Sequence, residues 1–288
     1  MNALSIIRTA PVAVLVCLLP GPAVAQTASA DIALPRAPLA SEIGAREVGF
    51  LAQDLATGAS CTLEGSDLDS RHAPWSTFKI ANLVIALETG AAQDLETARV
   101  WDQARRPPQT YWPDDWRQDQ TLLSAFRRSA IWYFQDVALD VGSDTYRTLL
   151  RDWGYGNAEI ADGADGFWLG DSLQISVAEQ VAFLGRLVSG DFDVDAETFA
   201  ALAEASAVAS ADGITLHGKS GSGTLSPGDF SGPFEGWFVG WLDRPDGAPA
   251  VFALYAAAET FAAIRHFRQD FAIDLLGRCG LLPSALRG

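Results

Sequence analysis

Lysine is almost absent from this chain. The 288 residues contain 20 lysines and arginines together, and only Lys79 and Lys219 are lysines. Arginine stays protonated in proteins, whereas a buried lysine amine can lose its proton. The scarcity therefore raises the question of what lysine does at these two positions that arginine cannot do.

Long apolar runs are also missing. One short run, residues 10–20, follows Arg8, and the small residues Ala23-Val24-Ala25 come soon after it. A basic residue, a short apolar run and an A-x-A site are typical of a secretory signal peptide. A membrane-spanning helix needs about 20 apolar residues, so the run does not predict an anchor. We expect a signal peptide at 1–25 and a single mature domain at 26–288, periplasmic and not membrane-bound after cleavage.

Cysteine and histidine are few, with three of each. The histidines form no H-E-x-x-H or H-x-H pattern, and no two cysteines have C-x-x-C spacing, so no metal site is expected. Cys61 and Cys279 would remain after export. An oxidising compartment permits a disulfide between them, and two buried free thiols are the alternative. The sequence leaves both open.

The balance of charge is strongly acidic, with a formal net charge of −16 at pH 7. Affinity for nucleic acid comes largely from neutralising phosphates with basic side chains, so nucleic acid is not an expected partner. Small anions remain suitable ligands wherever cations are concentrated locally. The expected partner is a small molecule, and the protein itself is expected to be a monomer or a homodimer.

The order of predicted elements indicates an α/β (α+β) fold. Residues 26–41 read as a loose leader, residues 47–55 as a strand, and a second short strand carries Cys61. A helix begins near Ser76, and helical patterns continue to about residue 205, including 121–139 and a capping-box pattern at Ser176 and Glu179. Strands return from Gly213, and a helix over about 261–276 follows. We expect an antiparallel sheet flanked by terminal helices, a helical lobe inserted at about 90–205, and an active site between the lobes.

The segment Gly213–Ser220 matches the phosphate-loop pattern G-x-x-x-x-G-K-[ST]. Such a loop follows a strand and opens a helix whose N-terminus holds phosphate. Here Gly-Ser-Gly-Thr follows Ser220, and Ile214 and Leu216 alternate as in a strand. The segment is therefore predicted to be a strand, and nucleotide binding is not expected.

Ser76 and Lys79 carry the first sign of chemistry. At a spacing of three within a helix, their side chains lie on one face and adjacent. A serine hydroxyl becomes a good nucleophile when a base takes its proton, and a lysine whose pKa is lowered by burial can be that base. Alone, this pattern is weak, and it favours a helix-capping serine beside an ordinary surface lysine.

A second motif favours the catalytic interpretation. Ser-x-x-Lys together with a later Lys-[Ser/Thr]-Gly is the signature of penicillin-recognising serine enzymes, and Lys219-Ser220-Gly221 supplies the second part. The chain further resembles the class D serine β-lactamases over nearly all of its mature length. The segments that carry the resemblance are PWSTFKIAN (74–82), Ser129-Ala130-Ile131, Tyr155-Gly156-Asn157, FWLGDSLQIS (167–176), GWFVGW (236–241) and Arg268.

The resemblance implies a mechanism. Ser76 would be the nucleophile, and Lys79 would react with carbon dioxide to give a carbamate that serves as general base for acylation and deacylation. Trp168 would hydrogen-bond this carbamate. No other cofactor is implied. Ser129 would pass a proton to the leaving nitrogen of the β-lactam ring.

The resemblance also implies the substrate site. The main-chain amides of Ser76 and Ser222 would form the oxyanion hole, and Lys219, Ser220 and Arg268 would bind the substrate carboxylate. Ile131 and Leu169, with Trp168, would wall the carbamate pocket, and Ile131 stands where the family has valine. The expected substrate-binding set is completed by Gly221, Tyr155 and Asn157.

Two other functions share these motifs. One is a penicillin sensor that is acylated but deacylates slowly, and the other is a D,D-peptidase. The sequence favours hydrolysis of β-lactam antibiotics through a serine acyl-enzyme.

Overall fold

The computed structural model describes residues 30–161, 163, 165–226, 229–245 and 247–286. The predicted signal peptide, 1–25, lies outside the described residues. The strands are β1 (Ile32–Leu34), β2 (Glu47–Asp54), β3 (Ser60–Leu63), β4 (Ala98–Arg99), β5 (Gln120–Thr121), β6 (Ala207–Ala211), β7 (Ile214–Thr224), β8 (Phe234–Asp243) and β9 (Ala250–Ala258).

Helices alternate with these strands and also fill the middle of the chain. The α-helices are α1 (Ala40–Ile43), α2 (Lys79–Glu88), α3 (Leu122–Arg128), α4 (Ile131–Val141), α5 (Ser143–Trp153), α6 (Val177–Val188), α7 (Ala196–Ser206), α8 (Phe261–Ile264) and α9 (Phe267–Arg278). Short 3-10 helices cover Ala37–Leu39, Trp75–Phe78, Asp114–Trp116 and Ser284–Leu286.

Seven strands form one sheet in the order β1-β3-β2-β9-β8-β7-β6. All neighbours in it are antiparallel except β1 and β3, which are parallel. The predicted helical insertion corresponds to α3–α7 and the small β4–β5 ribbon, which lie between α2 and β6 in the chain. The expected α/β layout is confirmed.

The two faces of the sheet carry separate apolar cores. Side chains alternate along a strand, so on β8 Trp237, Val239 and Trp241 pack with the helical insertion. Phe238 and Leu242 point the other way and pack with α9 and the N-terminal segment. The strands that hold the site are thus buried on both faces, which makes the sheet a rigid support.

Three details of the prediction were wrong. Ile32–Leu34, within the predicted loose leader, is strand β1, which pairs with Cys61–Leu63. Strand β6 was not predicted, because its alanines and serines have little β-propensity and pairing with β7 alone defines it. The terminal helix is divided into α8 and α9 at Arg265 and His266.

Two other expectations were met, the strand at the phosphate-loop pattern and the capping box, and the structure decides the cysteine pairing that the sequence left open. The segment that imitates a phosphate loop lies in strand β7, with no helix after Ser220. Ser176 and Glu179 form the capping box that begins α6. Cys61 and Cys279 are joined by a disulfide, with their Cα atoms 6.0 Å apart. Within the part of the chain that the structure describes, no helix is long and apolar enough to cross a bilayer.

Candidate active site

The serine and the first lysine meet in a tight turn. Ser76 lies in the 3-10 helix Trp75–Phe78, and α2 begins at Lys79, three residues later than the sequence predicted. Residues three apart are eclipsed in a 3-10 helix. This geometry places the Lys79 Nζ 2.9 Å from the Ser76 Oγ.

Lys79 is fully buried although it carries an amine. The ring of Phe134 lies 5.4 Å from its Nζ, and no described carboxylate forms an ion pair with it. Burial, and then the positive charge of Lys219, hold the pKa of Lys79 well below its usual value. A neutral amine beside a hydroxyl can accept its proton, and it can also react with carbon dioxide, so the site meets the first requirement of the predicted base.

Trp168 is also fully buried, and its ring packs on Phe78 at 5.6 Å between centroids. Its indole Nε1 has no hydrogen-bond partner among the described groups. A buried donor without a partner costs free energy, so the residues present fit an additional acceptor such as a carbamate on Lys79. The Trp168 carbonyl meanwhile accepts a hydrogen bond from the Trp75 amide at 3.1 Å.

Ser129 and the second lysine meet across the cleft. Ser129 ends α3 in a left-handed conformation with φ 65°, and the sequence had predicted one continuous helix there. This break points its hydroxyl at strand β7, where Lys219 Nζ donates to Ser129 Oγ at 2.9 Å and to the Ser220 carbonyl at 3.0 Å. The Ser129 hydroxyl is thus hydrogen-bonded to the Lys219 amine, and a proton can pass between the two groups.

Two cations of this region have lowered pKa values. Burial and the charge of Arg268 lower the pKa of Lys219 to about 7. Burial and the charge of Arg265 lower the pKa of Arg268 to about 10. Neither Lys219 nor Arg268 forms an ion pair with a described carboxylate, and the Arg268 Nε has no partner. Uncompensated cations with half-buried Ser220 and Ser222 between them fit a ligand carboxylate.

Gly221 lets β7 approach the nucleophile turn. A Cβ at this position would lie 2.8 Å from the Pro74 carbonyl oxygen and 2.9 Å from the amide nitrogens of Ser76 and Thr77. Any side chain would therefore push the strand away from the turn. The close approach brings the main chain of Ser222 beside that of Ser76, as an oxyanion hole requires.

Two predicted substrate-binding residues have supporting positions instead. Tyr155 is 1% exposed and packs edge-on against Phe78, behind the turn. Asn157 uses its side chain within the loop: its amide donates to the Ser172 carbonyl at 2.8 Å, and its oxygen accepts from the Gln174 amide at 3.0 Å. Asn157 is thus occupied in holding the loop that carries Trp168, whereas Tyr155 is buried among aromatic side chains and its hydroxyl has no described hydrogen-bond partner.

The two predicted wall residues occupy half-buried positions. Ile131 is the first residue of α4, three positions before Phe134 and thus on the same helix face. Leu169 follows Trp168 and packs against the core of the helical insertion. Both positions agree with a wall beside Lys79.

Sequence reasoning missed three features around the site. Exposed rings of Tyr111 and Phe230 stack at 4.8 Å and join the helical insertion to the β7–β8 connection. Arg106 bridges Asp136 on α4 to Asp165, just before the Trp168 loop. Trp75 donates to the buried Glu235. These contacts join residues far apart in the chain, so no local pattern signals them.

Comparison with known proteins agrees with this geometry. The model of the penicillin binding protein transpeptidase domain matches residues 48–265. The probable β-lactamase YbxI of Bacillus subtilis is 32% identical over 235 residues, which are 82% of each chain. A crystal structure of the class D β-lactamase from Bacillus subtilis superposes with a TM-score of 0.72 at 30% identity and covers 85% of this chain and 96% of that one.

A receptor domain is similar as well. The C-terminal domain of the Bacillus licheniformis BlaR penicillin-receptor superposes with a TM-score of 0.78 at 26% identity, over 92% of this chain and all of that domain.

The match to the transpeptidase-domain model and the identity to YbxI decide the family of this chain. The chain belongs to the penicillin-binding transpeptidase-domain family, and within it to the class D β-lactamases.

Proposed function

We propose that this protein hydrolyses β-lactams through an acyl-enzyme on Ser76, with Lys79 carboxylated by carbon dioxide as its general base. The observation that carries the proposal is the fully buried Lys79 amine, 2.9 Å from the Ser76 hydroxyl and free of any described counter-ion. Trp168, whose buried indole N–H lacks a partner, would hold the added group. When present, the carbamate supplies an anionic base in an otherwise apolar pocket.

The chain's own residues account for the remaining steps of acylation. Ser76 Oγ attacks the lactam carbonyl carbon and loses its proton to the base. The amides of Ser76 and Ser222 stabilise the negative charge that develops on the carbonyl oxygen. The carbon–nitrogen bond of the ring then breaks, and Ser129 delivers a proton to the nitrogen, since its hydroxyl lies 2.9 Å from Lys219 Nζ.

Deacylation uses the same groups. A water molecule gives a proton to the base and attacks the ester carbonyl, and Ser76 recovers its proton as it leaves. Lys219 and Arg268 hold the substrate carboxylate throughout, because both are buried cations without a described counter-ion. The product is the ring-opened β-amino acid.

A penicillin sensor is the competing function, and the similarity to the BlaR receptor domain supports it. A sensor is acylated at Ser76 but does not turn over. Nitrocefin hydrolysis with added bicarbonate distinguishes the two. Sustained turnover supports the proposal, whereas a burst of one equivalent followed by no further hydrolysis assigns the protein to the sensors.

Variants of Lys79 and Trp168 test the base. Lys79→Ala should lose turnover, and near-normal rates would refute the assignment. Trp168→Phe keeps the packing and removes only the indole N–H, so it should need more bicarbonate for half-maximal rate. Full activity of Trp168→Phe without bicarbonate would mean that Trp168 only fills space.

A further inference from the structure

A buried carboxylate that the proposed reaction does not use lies directly behind the nucleophile turn. Glu235 on β8 is 4% exposed. Its oxygens accept from Trp75 Nε1 at 2.7 Å and from the Tyr255 hydroxyl at 3.0 Å, and His72 Nδ1 lies 3.2 Å away. Burying a carboxylate is costly unless its oxygens are hydrogen-bonded, so the bonds from Trp75 and Tyr255 contribute to keeping it there.

Two of the three residues that contact Glu235 belong to the segment that leads into Ser76. His72 and Trp75 both reach Glu235, and between them the Ala73 carbonyl accepts from Trp237 Nε1 at 2.9 Å. The segment 72–75 is therefore fixed to β8 at three points. Because Ser76 follows immediately, these contacts determine where its main-chain amide lies.

Trp75 also contacts strand β7 and the loop that carries Trp168. A Cβ on Gly223 would lie 2.2 Å from the Trp75 ring, so the indole rests directly on β7, one residue beyond Ser222. The Trp75 amide donates to the Trp168 carbonyl. One side chain and its amide thus connect β7, β8 and the Trp168 loop to the nucleophile turn.

The backbone of Trp75 needs such support. Its φ is 52°, in the left-handed region that bulky residues rarely adopt. A backbone of this kind persists only where its surroundings over-determine it, and it is found at active sites. Here the hydrogen bond to Glu235 and the contact with Gly223 are the surroundings that hold it.

We propose that Glu235 and Trp75 are positioning residues that fix the Ser76 amide and hydroxyl against strand β7. The inference rests on the proposed function, since the amides of Ser76 and Ser222 are the expected oxyanion hole. The bond between Trp75 Nε1 and Glu235 Oε1 keeps the turn in its left-handed conformation. Without it the turn relaxes, and the Ser76 amide no longer points at the position of the developing negative charge.

Conservative variants test this inference. Trp75→Phe keeps an aromatic side chain at this position and removes the Nε1 donor, and Glu235→Gln keeps the shape and removes the charge. The matched control is Tyr255→Phe, which also removes a donor to Glu235 but keeps the ring that stacks on His72 and leaves the bond from Trp75 in place. For each protein we would measure the acylation rate and KM with nitrocefin, and the melting temperature.

We expect the acylation rate of Trp75→Phe and of Glu235→Gln to fall by up to about a hundredfold, the loss that a misplacement of about 1 Å at the reacting groups can cause. The KM should change far less, because the carboxylate site on Lys219 and Arg268 is intact. The double variant should fall no further than the worse single variant, because both remove the same bond. Tyr255→Phe should keep its rate, even where its melting temperature drops.

The outcomes separate the two proposals. A wild-type protein that nitrocefin does not acylate would sink the proposed function and this inference with it. An active wild type with Trp75→Phe acylated at the wild-type rate would overturn the inference alone. Equal rate losses in Trp75→Phe and Tyr255→Phe would also overturn it, because they would indicate general loosening of the core.

Discussion

At the scale of single residues, burial gives the two lysines, Lys79 and Lys219, different roles. Lys79 and Lys219 are both shielded from water, and burial is the main cause that lowers the pKa of each; the charge of Lys219 adds to it for Lys79, and the charge of Arg268 adds to it for Lys219. Lys79 lies beside the Phe134 ring and the Ser76 hydroxyl, without a described counter-ion, and serves best as a neutral amine. Lys219 has a hydroxyl and a carbonyl as acceptors and serves best as a cation, since a carboxylate is its expected ligand.

The pKa of Lys219 predicts an alkaline limit to substrate capture. Below about 7 its amine is an ammonium, and above that value it becomes neutral in the free enzyme. We expect kcat/KM to fall as pH rises above this value, because a neutral amine does not attract the substrate carboxylate; the limb in kcat should lie higher, since a bound carboxylate favours the ammonium.

Lys219→Arg provides the control for this pH profile. A guanidinium stays charged at every pH of the assay, so the alkaline limb should flatten even where the overall rate is lower. An unchanged alkaline limb in Lys219→Arg would mean that another group causes it.

Ile131 offers a test of the pocket wall. It shares a face of α4 with Phe134, which contacts Lys79. Ile131→Val removes one methylene, so water should reach the base more readily and kcat should rise for substrates limited by deacylation. The stability cost should be at the lower end of about 0.5–1.5 kcal/mol, since the side chain is only half-buried. Single-turnover kinetics would show whether deacylation, rather than acylation, changes.

At the scale of elements, the site depends on short irregular pieces held by regular ones. The 3-10 turn, the break between α3 and α4, and the loop of Trp168 each place one reactive group. Each is tied to a strand or helix by contacts across the chain: Gly221 to the turn, Lys219 to Ser129, and Arg106 to the loop. Loops positioned by a rigid scaffold commonly carry catalytic groups.

The ion pairs of Arg106 with Asp136 and Asp165 are expected to hold the loop that carries Trp168 in position. Arg106 lies 2.8 Å from Asp165 and 2.9 Å from Asp136, and burial is partial at all three side chains. Asp165→Asn should loosen the loop and raise the bicarbonate concentration needed for half-maximal rate. The exposed pair of Arg147 and Asp144 on α5 provides the control, because Arg147→Gln should change neither rate nor bicarbonate response. Identical behaviour of the two variants would contradict the role of the bridge.

At the scale of the whole molecule, the sheet brings the two ends of the chain together. The β2 strand near the N-terminus lies between β3 and β9, and α9 covers the same face as α1. The helical insertion occupies the opposite face, and the hydrogen bond from Lys219 on β7 to Ser129 lies where the insertion meets the sheet. The molecule as a whole is acidic, with a formal net charge of −16. Lys219 and Arg268 therefore supply the local positive charge that an anionic ligand needs.

The disulfide should stabilise the fold without serving the reaction. Cys61 and Cys279 are 218 residues apart, so their bond restricts a long loop of the unfolded chain. Reduction, or the pair Cys61→Ala and Cys279→Ala, should lower the free energy of unfolding by about 2–4 kcal/mol. The kcat of the folded protein should not change, because the bond lies in the core on the face away from Lys79. If reduction at a temperature where the protein stays folded lowered kcat, the disulfide would influence the site around Lys79, and the prediction would be wrong.

Sequence patterns were most informative where chemistry is local. Ser76 and Lys79 are three residues apart, so their adjacency followed from helical spacing, and the strand at Lys219 followed from alternation. The substrate-binding roles of Tyr155 and Asn157 stay predictions: a motif gives the residues but not which way their side chains face, and in the structure both contact protein groups. Cleavage after Ala25 and a periplasmic location stay predictions from the sequence.

By itself the sequence determined the reactive groups and the family: two lysines, three serines, a tryptophan and an arginine in a recognisable order. Only the tertiary structure decided the state of those groups. The low pKa of Lys79 comes from burial among side chains distant in the chain, and the disulfide from the meeting of β3 with α9. The support of the nucleophile by Glu235, 160 residues away from Trp75, is likewise a consequence of sheet register. Local patterns specify which chemistry is possible, whereas long-range packing sets its geometry and electrostatics.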